Sequence, residues 1–314
     1  GQDHAPTPRV LDACLKAVGF RMGPCELMDL IGHDTNFAVT QSVYAANFYD
    51  KRYVPSLLQA EMVAGGLLGR KSGRGFYAHP DRDAALAVPV YDAPATSAEV
   101  TVHGDGAIAD ALEQVAAQAL KGQGWGPARE HGSGWTGLLI DGAQLRLTDG
   151  RPASEVAAHL GRRDIAVFDR PLVLPSLTER GTAEGVAVAS RPLAYAVSAN
   201  ASAAFVDQVP QWLHALGFTP LRLSDSPGLI VARTLAMLIN EAADAVQQGV
   251  CTPDGADAAM KLGLNYPAGP FEWLRGWSAD GVIGVLRALD ATYRGERYRI
   301  SPWLLHHRLT EDRP

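Results

Sequence analysis

The sequence predicts a mainly α-helical chain with a central α/β layer, in which two related helical domains flank a smaller mixed domain. Two observations predict this plan. A residue pattern near the start recurs near the end at an offset of 245–246 residues, and apolar residues in both stretches follow helical spacing. Between them, short apolar segments typical of strands alternate with helical segments.

The recurring pattern has a period long enough to indicate a duplicated domain rather than a solenoid. It consists of these pairs of identical residues: Pro8/Pro253, Asp12/Asp257, Ala13/Ala258, Lys16/Lys261, Gly23/Gly269, Pro24/Pro270, Glu26/Glu272, Arg52/Arg297 and Tyr53/Tyr298. We call residues 1–80 the first repeat and residues 224–314 the second repeat. An apolar helix candidate at 226–249 begins the second repeat, whereas only seven residues precede Pro8. We therefore interpret the chain as a fragment that begins inside its first repeat.

Composition limits the function classes. The 314 residues are enough for two or three domains, and a net charge of −6 gives no support for nucleic-acid binding. Three cysteines without CxxC spacing predict neither a disulfide framework nor a metal site, and fit a cytoplasmic protein. The longest apolar run, 229–239, contains Arg233 and is much shorter than the roughly 20 residues of a membrane span. We expect neither a membrane nor a nucleic acid as a partner.

Helical spacing continues through residues 8–68 of the first repeat. An aromatic stripe that includes Phe37, Tyr44 and Phe48 is interpreted as core packing rather than as a cofactor site. The glycine-rich segment Gly65–Tyr77 is predicted to be an ordered loop or short strand that closes the domain. Residues 81–97, which are rich in alanine and contain two prolines, are predicted to be a linker.

The middle domain, residues 98–223, alternates between strand and helix patterns, which predicts a small α/β layer with parallel pairing. The predicted strands are 100–103, 138–140, 165–168, 185–189 and 193–197, and the predicted helices are 107–121, 154–160 and 201–216. Ser226-Pro227 then supplies an N-cap and a proline at the first helical position, which predicts the start of a long helix.

Four segments carry a resemblance to a known family. Residues 19–34 (GFRMGPCELMDLIGHD) and 68–77 (LGRKSGRGFY) resemble the C-terminal helical domain of 3-hydroxyacyl-CoA dehydrogenases. Residues 225–233 (DSPGLIVAR) and 265–272 (NYPAGPFE) resemble that domain a second time. Two such copies around a middle domain are similar to the bacterial tandem form, often linked to phenylacetate or fatty-acid breakdown. The resemblance implies NAD-dependent oxidation of (S)-3-hydroxyacyl-CoA to 3-oxoacyl-CoA.

The resemblance also implies where the chemistry lies. The family binds NAD in an N-terminal Rossmann domain, which supplies a catalytic histidine from a His-x-Phe-Asn-Pro stretch, and no histidine of this chain begins that sequence. Ala232 stands where the family's Gly-x-x-x-Asn-Arg motif has an active-site asparagine. We therefore assign no catalytic residue here and expect the chain alone to be inactive. NAD and the acyl-CoA substrate are expected to bind through the missing domain.

A second hypothesis is a non-catalytic module for dimerisation or assembly within a multidomain protein. It is compatible with the first, because single-copy members of the family dimerise through this helical domain. We expect a homo-oligomer, or a pairing of the two repeats within one chain that mimics such a dimer.

Two candidate binding segments follow from the resemblance. The family uses the lysine before [Ser/Thr]-Gly in the closing loop to contact the dinucleotide, which implies that role for Lys71; the alternative is a solvated basic loop. Met22-Gly23-Pro24 lies where the family's helical domain faces the acyl-CoA; the alternative is a simple helix break.

The middle domain contains a pattern similar to a dinucleotide fingerprint. Residues 100–109 read VTVHGDGAIA, a strand followed by a G-x-G-x-x-A turn and a helix start. Asp105 places a carboxylate where a pyrophosphate would have to lie, and no acidic residue ends a second strand about 20 residues later. We therefore interpret residues 98–223 as a degenerate Rossmann-like domain without an NAD site.

Overall fold

The computed structural model describes residues 4–79, 91, 99–119, 126–171 and 191–311. The chain divides into two compact units, residues 1–5 with 88–235 and residues 6–87 with 236–314. Both repeats therefore contribute to the second unit. The predicted strand at 185–189 lies outside the described residues, as does the predicted linker at 81–97 apart from Tyr91. Within the described ranges, no helix combines the length and the apolar character needed to cross a membrane.

The first repeat is helical, as its spacing predicts. Its helices are α1 (Pro8–Ala17), α2 (Pro24–Ile31), α3 (His33–Ala46) and α4 (Leu57–Ala64), with 3-10 helices at Lys51–Tyr53 and Arg70–Ser72. The side chain of Thr7 caps α1, and Pro8 occupies the first helical turn, where its missing N–H costs no hydrogen bond. Isolated bridges join Gly69 to Arg74 and Arg74 to Ala78, so the glycine-rich loop is ordered as predicted.

The aromatic stripe of α3 does not form core throughout. Phe48 is 93% exposed and follows the end of α3 with a positive φ of 52°. Val39 and Val43 on the same helix are 57% and 42% exposed. The prediction of core packing is therefore wrong for Phe48, because periodicity identifies an apolar face but not the surface that covers it.

Among its described residues, the first unit contains a seven-stranded sheet; with strands numbered along the chain, their order is β2-β1-β3-β4-β5-β6-β7. Its elements in chain order are β1 (Val100–His103), α5 (Ala107–Ala119), β2 (Ala128–Glu130), β3 (Gly137–Ile140), β4 (Ala143–Leu147), α6 (Ala153–Leu160), β5 (Ile165–Phe168), β6 (Arg191–Val197), α7 (Ala203–Ala215) and β7 (Phe218–Arg222). A continuous core includes buried side chains of β1, β3, β5, β6, α5 and α7. The α/β layer is therefore larger than predicted.

The pairing of the strands differs from the prediction. β1–β2, β4–β5 and β6–β7 are parallel, but β1–β3, β3–β4 and β5–β6 are antiparallel. The prediction of parallel pairing is therefore confirmed for three of these six pairs and wrong for the other three, among them β3–β4, which form a hairpin. Its two turn residues, Asp141 and Gly142, both have positive φ (48° and 83°), as a type I′ turn requires.

The second repeat consists of α8 (Val231–Gln247), α9 (Pro253–Leu264), α10 (Pro270–Arg275), α11 (Ala279–Tyr293), a 3-10 helix (Glu296–Tyr298) and α12 (Pro302–Glu311). From α9 onward its order matches the first repeat, and Thr252 caps α9 as Thr7 caps α1. α8 begins at Val231, so the predicted start at Ser226-Pro227 is wrong. Gly228 and Leu229 have positive φ (73° and 49°) and form a turn before the helix.

The two repeats make reciprocal contacts within the second unit. Arg52 Nη1 donates to the carbonyl oxygen of Arg299 at 2.9 Å, and Arg297 Nη2 donates to that of Val54 at 3.1 Å. Arg52 matches Arg297, and Val54 matches Arg299, at the same offset of 245 residues. Each arginine thus donates to the same backbone position of the other repeat. Such reciprocal contacts are found in an isologous interface, in which a two-fold axis relates the two partners.

Arg52 also joins the first repeat to α8. Its Nη2 lies 2.9 Å from Glu241 Oε1 and 3.3 Å from Asp244 Oδ2. Glu241 and Asp244 therefore pair α8 with the first repeat. Burial raises the pKa of Glu241 above its ordinary value, although the Arg52 guanidinium opposes this shift.

Candidate functional site

The loop that carries Lys71 is fastened to the buried carboxylate of Asp29. Asp29 accepts hydrogen bonds from the backbone N–H groups of Phe76 (2.9 Å) and Tyr77 (3.0 Å), and it lies 2.9 Å from His33 Nε2 and 3.0 Å from His79 Nε2. Burial alone would raise its pKa, but the bonds from His79, the two amides and His33 together hold the pKa below its ordinary value. The carboxylate is therefore charged and fixes the loop rigidly against α2.

Glycine is required where this loop passes Asp29. A Cβ atom at Gly75 would lie 2.2 Å from Asp29 Oδ1, and one at Gly69 would lie 2.3 Å from the Asp29 carbonyl oxygen. Gly69 and Gly73 also have positive φ (90° and 76°) on either side of the 3-10 helix. The glycine spacing in LGRKSGRGFY thus holds the loop in one shape around Asp29.

Lys71 lies at the surface of this loop, with its side chain 45% exposed, and its ammonium group forms an ion pair with Asp34 Oδ1. The hydrogen bond from Lys71 lowers the pKa of the Asp34 carboxyl. An exposed lysine on a rigid loop can exchange this carboxylate for a ligand oxygen anion at small cost. Its expected contact with the dinucleotide stays a prediction.

Gly23 and Pro24 have a structural explanation. Gly23 is the N-cap of α2 and Pro24 its first residue, so the pair begins a helix rather than interrupting one. A Cβ atom at Gly23 would lie 2.2 Å from Asp12, whose carboxylate accepts hydrogen bonds from the amides of Cys25 (2.8 Å) and Glu26 (3.0 Å). Burial raises the pKa of Asp12.

The same arrangement recurs in the second repeat. A Cβ atom at Gly269 would lie 2.2 Å from Asp257, and the amide of Phe271 donates to Asp257 at 2.7 Å. Packing accounts for the Gly-Pro pair in both repeats. That Met22, Gly23 and Pro24 face the substrate stays a prediction.

Ala232, which the sequence resemblance aligns with the family's asparagine, is fully buried, and its side chain has no polar atom. Its amide donates to Asp169 Oδ1 at 2.9 Å, while Ile230 and Val231 donate to Asp169 Oδ2 at 2.9 and 2.6 Å. The start of α8 is thus satisfied internally by a side chain from the end of β5. This position cannot hydrogen-bond a thioester carbonyl.

Asp169 itself was missed by reasoning from the sequence. It follows the buried strand Ile165–Phe168 directly, and a carboxylate after a fully apolar strand is the one signal that could have identified it. A helix N-terminus attracts an anion, and here the protein supplies its own.

The Gly104–Gly106 turn does not fit a dinucleotide. Asp105 accepts a hydrogen bond from the amide of Gly132 at 2.9 Å and lies 2.7 Å from His131 Nδ1. The bond from Gly132 and then that from His131 lower the pKa of Asp105, so it is charged at neutral pH. A negative charge between the two glycines would repel a pyrophosphate, and we derive no chemistry through NAD at this turn.

Comparison with known proteins gives the family. The model described as "3-hydroxyacyl-CoA dehydrogenase, C-terminal domain" matches residues 2–79 and again residues 228–311, which together are more than half of the chain. The chain belongs to the 3-hydroxyacyl-CoA dehydrogenase family. A second model, "3-hydroxybutyryl-CoA dehydrogenase reduced Rossmann-fold domain", matches residues 145–227, and the Gly104–Gly106 turn lies outside that match.

Individual relatives agree with this assignment. The 3-hydroxyadipyl-CoA dehydrogenase of Escherichia coli is 33% identical over 312 residues, which are 99% of this chain and 56% of that protein. The probable 3-hydroxybutyryl-CoA dehydrogenase of Deinococcus radiodurans is 35% identical over 96 residues, 31% of this chain and 34% of that protein. A crystal structure titled 3-hydroxybutyryl-CoA dehydrogenase from E. coli K12 superposes with a TM-score of 0.76 at 32% identity. It covers 97% of this chain and 55% of that one, so the chain spans about half the length of these E. coli relatives.

Proposed function

We propose that this chain is the non-catalytic part of an NAD-dependent 3-hydroxyacyl-CoA dehydrogenase of the cytoplasm. The reaction oxidises the C3 hydroxyl of (S)-3-hydroxyacyl-CoA to a ketone; NAD, when bound, accepts the hydride, and a histidine of the NAD-binding domain accepts the proton. The observation that carries this proposal is Ala232. The sequence resemblance implies that Ala232 stands at the family's active-site asparagine, and its burial against Asp169 leaves no group there that could bind substrate.

We further propose that the two repeats form a dimer-like pair within one chain. The reciprocal bonds of Arg52 and Arg297 support this pairing, because they follow the two-fold relation of an isologous interface. Such a pair would give the dehydrogenase a rigid helical base without a second subunit. The pairing of the repeats also favours the alternative function, a non-catalytic assembly module. If the domain that this chain joins lacks a G-x-G-x-x-G turn, that finding would support the assembly module over the dehydrogenase.

The purified chain is expected to show no turnover of acetoacetyl-CoA with NADH. The sequence contains no His-x-Phe-Asn-Pro stretch, and the asparagine position is an alanine. The assay follows NADH absorbance, with an active 3-hydroxybutyryl-CoA dehydrogenase as the positive control. Turnover above the buffer blank that rises in proportion to the chain's concentration would refute the proposal.

Lys71 is expected to bind NAD in a dehydrogenase that contains this chain together with an NAD-binding domain. Losing one partly exposed charge-assisted hydrogen bond costs about 1.5–3 kcal/mol, which weakens NAD binding roughly tenfold or more. Calorimetric titration of the Lys71→Ala variant should show this loss. Asp105→Ala is the matched control and should leave the NAD dissociation constant unchanged. Equal affinities for Lys71→Ala and wild type would remove Lys71 from the site.

A further inference from the structure

The sheet of the middle domain has a topological switch point between β1 and β4. These two strands run in the same direction, because each is antiparallel to β3, which lies between them. The chain passes from β1 through α5 to β2, and from β4 through α6 to β5; β2 and β5 are parallel neighbours on opposite sides. Right-handed crossovers in opposite directions place α5 and α6 on opposite faces of the sheet. A crevice at the carboxyl ends of two such strands is the usual ligand site of an open α/β sheet.

Two polar side chains lie at these carboxyl ends, on the face opposite to α5. Buried side chains of α5 share one core with Val102 of β1 and Leu145 of β4. Successive side chains of a strand point to opposite faces, so His103 and Arg146 point away from that core. They therefore lie on the face of the sheet where the crossover places α6, which packs on β5 and β6.

The indole of Trp135 joins these two side chains. His103 and Arg146 both pair with Gly137 of β3, so the three residues form one row across the sheet. A Cβ atom at Gly137 would lie 3.0 Å from Trp135 Cζ3, so the half-buried indole occupies the space that glycine leaves open. The indole stacks on the His103 ring at 4.3 Å, and the Arg146 guanidinium lies 4.3 Å from the indole centre. We call His103, Trp135 and Arg146 the His-Trp-Arg stack.

Arg146 is a buried cation without an acidic partner. The residue is 9% exposed, and its Nη1 donates to Gln144 Oε1 at 2.7 Å. Within the described residues, no carboxylate lies within 4.0 Å of its guanidinium, and Nε and Nη2 donate no hydrogen bond. Asp149, the next acidic residue along the chain, bonds to Arg151 instead. Buried charges are ordinarily paired because their desolvation is costly, so an anionic ligand would complete the environment of Arg146.

His103 is also buried without a hydrogen-bond partner. It is 6% exposed, and within the described residues neither ring nitrogen forms a hydrogen bond; Glu130 Oε2 lies 3.6 Å from Nε2. Burial lowers the pKa of His103, and Arg146 adds to this shift, although Glu130 opposes it. The imidazole is therefore neutral at pH 7 and carries one N–H donor. Buried polar groups in a packed core are usually satisfied, so two unsatisfied ones at a switch point indicate a binding site.

We propose that the His-Trp-Arg stack binds the carboxylate of a small organic acid. Nε and Nη2 of Arg146 lie on one edge of the planar guanidinium and can bond both carboxylate oxygens, which a lysine could not do. A singly charged carboxylate fits better than a phosphate dianion, because the exposed carboxylates of Asp105 and Glu130 follow β1 and end β2 at the same edge. His103 and Trp135 lie outside both matched family models, so family membership does not account for the stack.

Calorimetric titration of the 314-residue chain with sodium acetate and sodium benzoate tests the proposal. At least one of them should bind saturably, whereas benzamide, an uncharged analogue of benzoate, should not bind. Arg146→Met and His103→Phe should each weaken carboxylate binding about tenfold or more, because each removes a donor to the anion. His103→Phe keeps an aromatic ring against Trp135. The matched control Arg222→Met, at an exposed position of β7, should leave binding unchanged.

Thermal unfolding of Arg146→Met separates a binding role from a structural one. Removing a buried cation that has no partner should leave Tm unchanged or raise it, because binding groups are commonly kept at a cost in stability. A lower Tm in Arg146→Met than in Arg222→Met would instead show that Arg146 serves folding, and would overturn the proposal.

Three binding results would also overturn it. The first is no saturable binding of either carboxylate, and the second is equal affinity in Arg146→Met and Arg222→Met. The third is inorganic phosphate binding more tightly than both carboxylates, because this would assign the site to phosphate. None of these measurements involves NAD or turnover, so this proposal and the dehydrogenase proposal can fail separately.

Discussion

Replacing Arg52 by methionine is expected to destabilise the helical unit by about 3 kcal/mol, the cost of removing one partner from a buried ion pair. The change leaves Asp244, whose side chain is 7% exposed, without its nearest cation, and it removes a donor from the Arg299 carbonyl oxygen. The matched change Arg297→Met alters an exposed side chain and should cost within about 0.5 kcal/mol.

Urea unfolding followed by tryptophan fluorescence would compare the two variants. The pair forms a strict control, because the residues are identical, the substitution is identical and their positions are related by the repeat. Similar losses of unfolding free energy in both variants would contradict the prediction, because the exposed Arg297 would then stabilise the unit as much as the buried Arg52 does.

The second large effect is expected at Asp169, which is fully buried and accepts hydrogen bonds from the amides of Arg170, Ile230, Val231 and Ala232 at 2.6–2.9 Å. Asp169→Ala should cost about 3 kcal/mol, because it leaves these buried donors without an acceptor. Asp225→Ala is the control. Asp225 caps α6 through Ala153 and Ser154 but is only half-buried, so about 1 kcal/mol is expected.

The effect of Asp169 should depend on pH. Burial raises its pKa to about 6, against the opposing influence of the amide donors. The folded state therefore binds a proton more tightly than the unfolded state, and the contribution of this group is full below about pH 4 and declines as pH rises to about 6. The difference in unfolding free energy between wild type and Asp169→Ala should be larger at pH 4.5 than at pH 7. If the difference in unfolding free energy between wild type and Asp169→Ala instead grows with pH, the amide donors outweigh burial and hold the pKa of Asp169 below its ordinary value.

Helical spacing of apolar residues predicted much of the helical fold, and local capping signals that were not used could have given the helix starts. Thr7-Pro8 and Thr252-Pro253 cap equivalent helices, and Gly23-Pro24 begins α2, because capping depends on residues within one turn. The Asp141-Gly142 turn was also readable, since Asp-Gly between apolar segments is a strong hairpin pattern. Because this turn was overlooked, the antiparallel pair β3–β4 was not predicted.

Other features depend on residues far apart in the chain and had no local signal. α8 begins at Val231 because Asp169, some sixty residues earlier, binds the amides that precede and open the helix. Among the site predictions, the ordered Lys71 loop followed from its glycines, but its fastening to Asp29 from α2 did not. The exposure of Phe48 could not be predicted either, since an apolar stripe does not specify what covers it.

We propose that this chain supplies a paired helical base and that NAD binds through a separate domain. Titration of the purified chain with NADH, followed by nicotinamide fluorescence, tests this most directly. We predict no saturable binding up to about 1 mM, the upper end of ordinary Michaelis constants. Saturable binding that Asp105→Ala or Lys71→Ala alters would contradict the claim and place a cofactor site within these 314 residues.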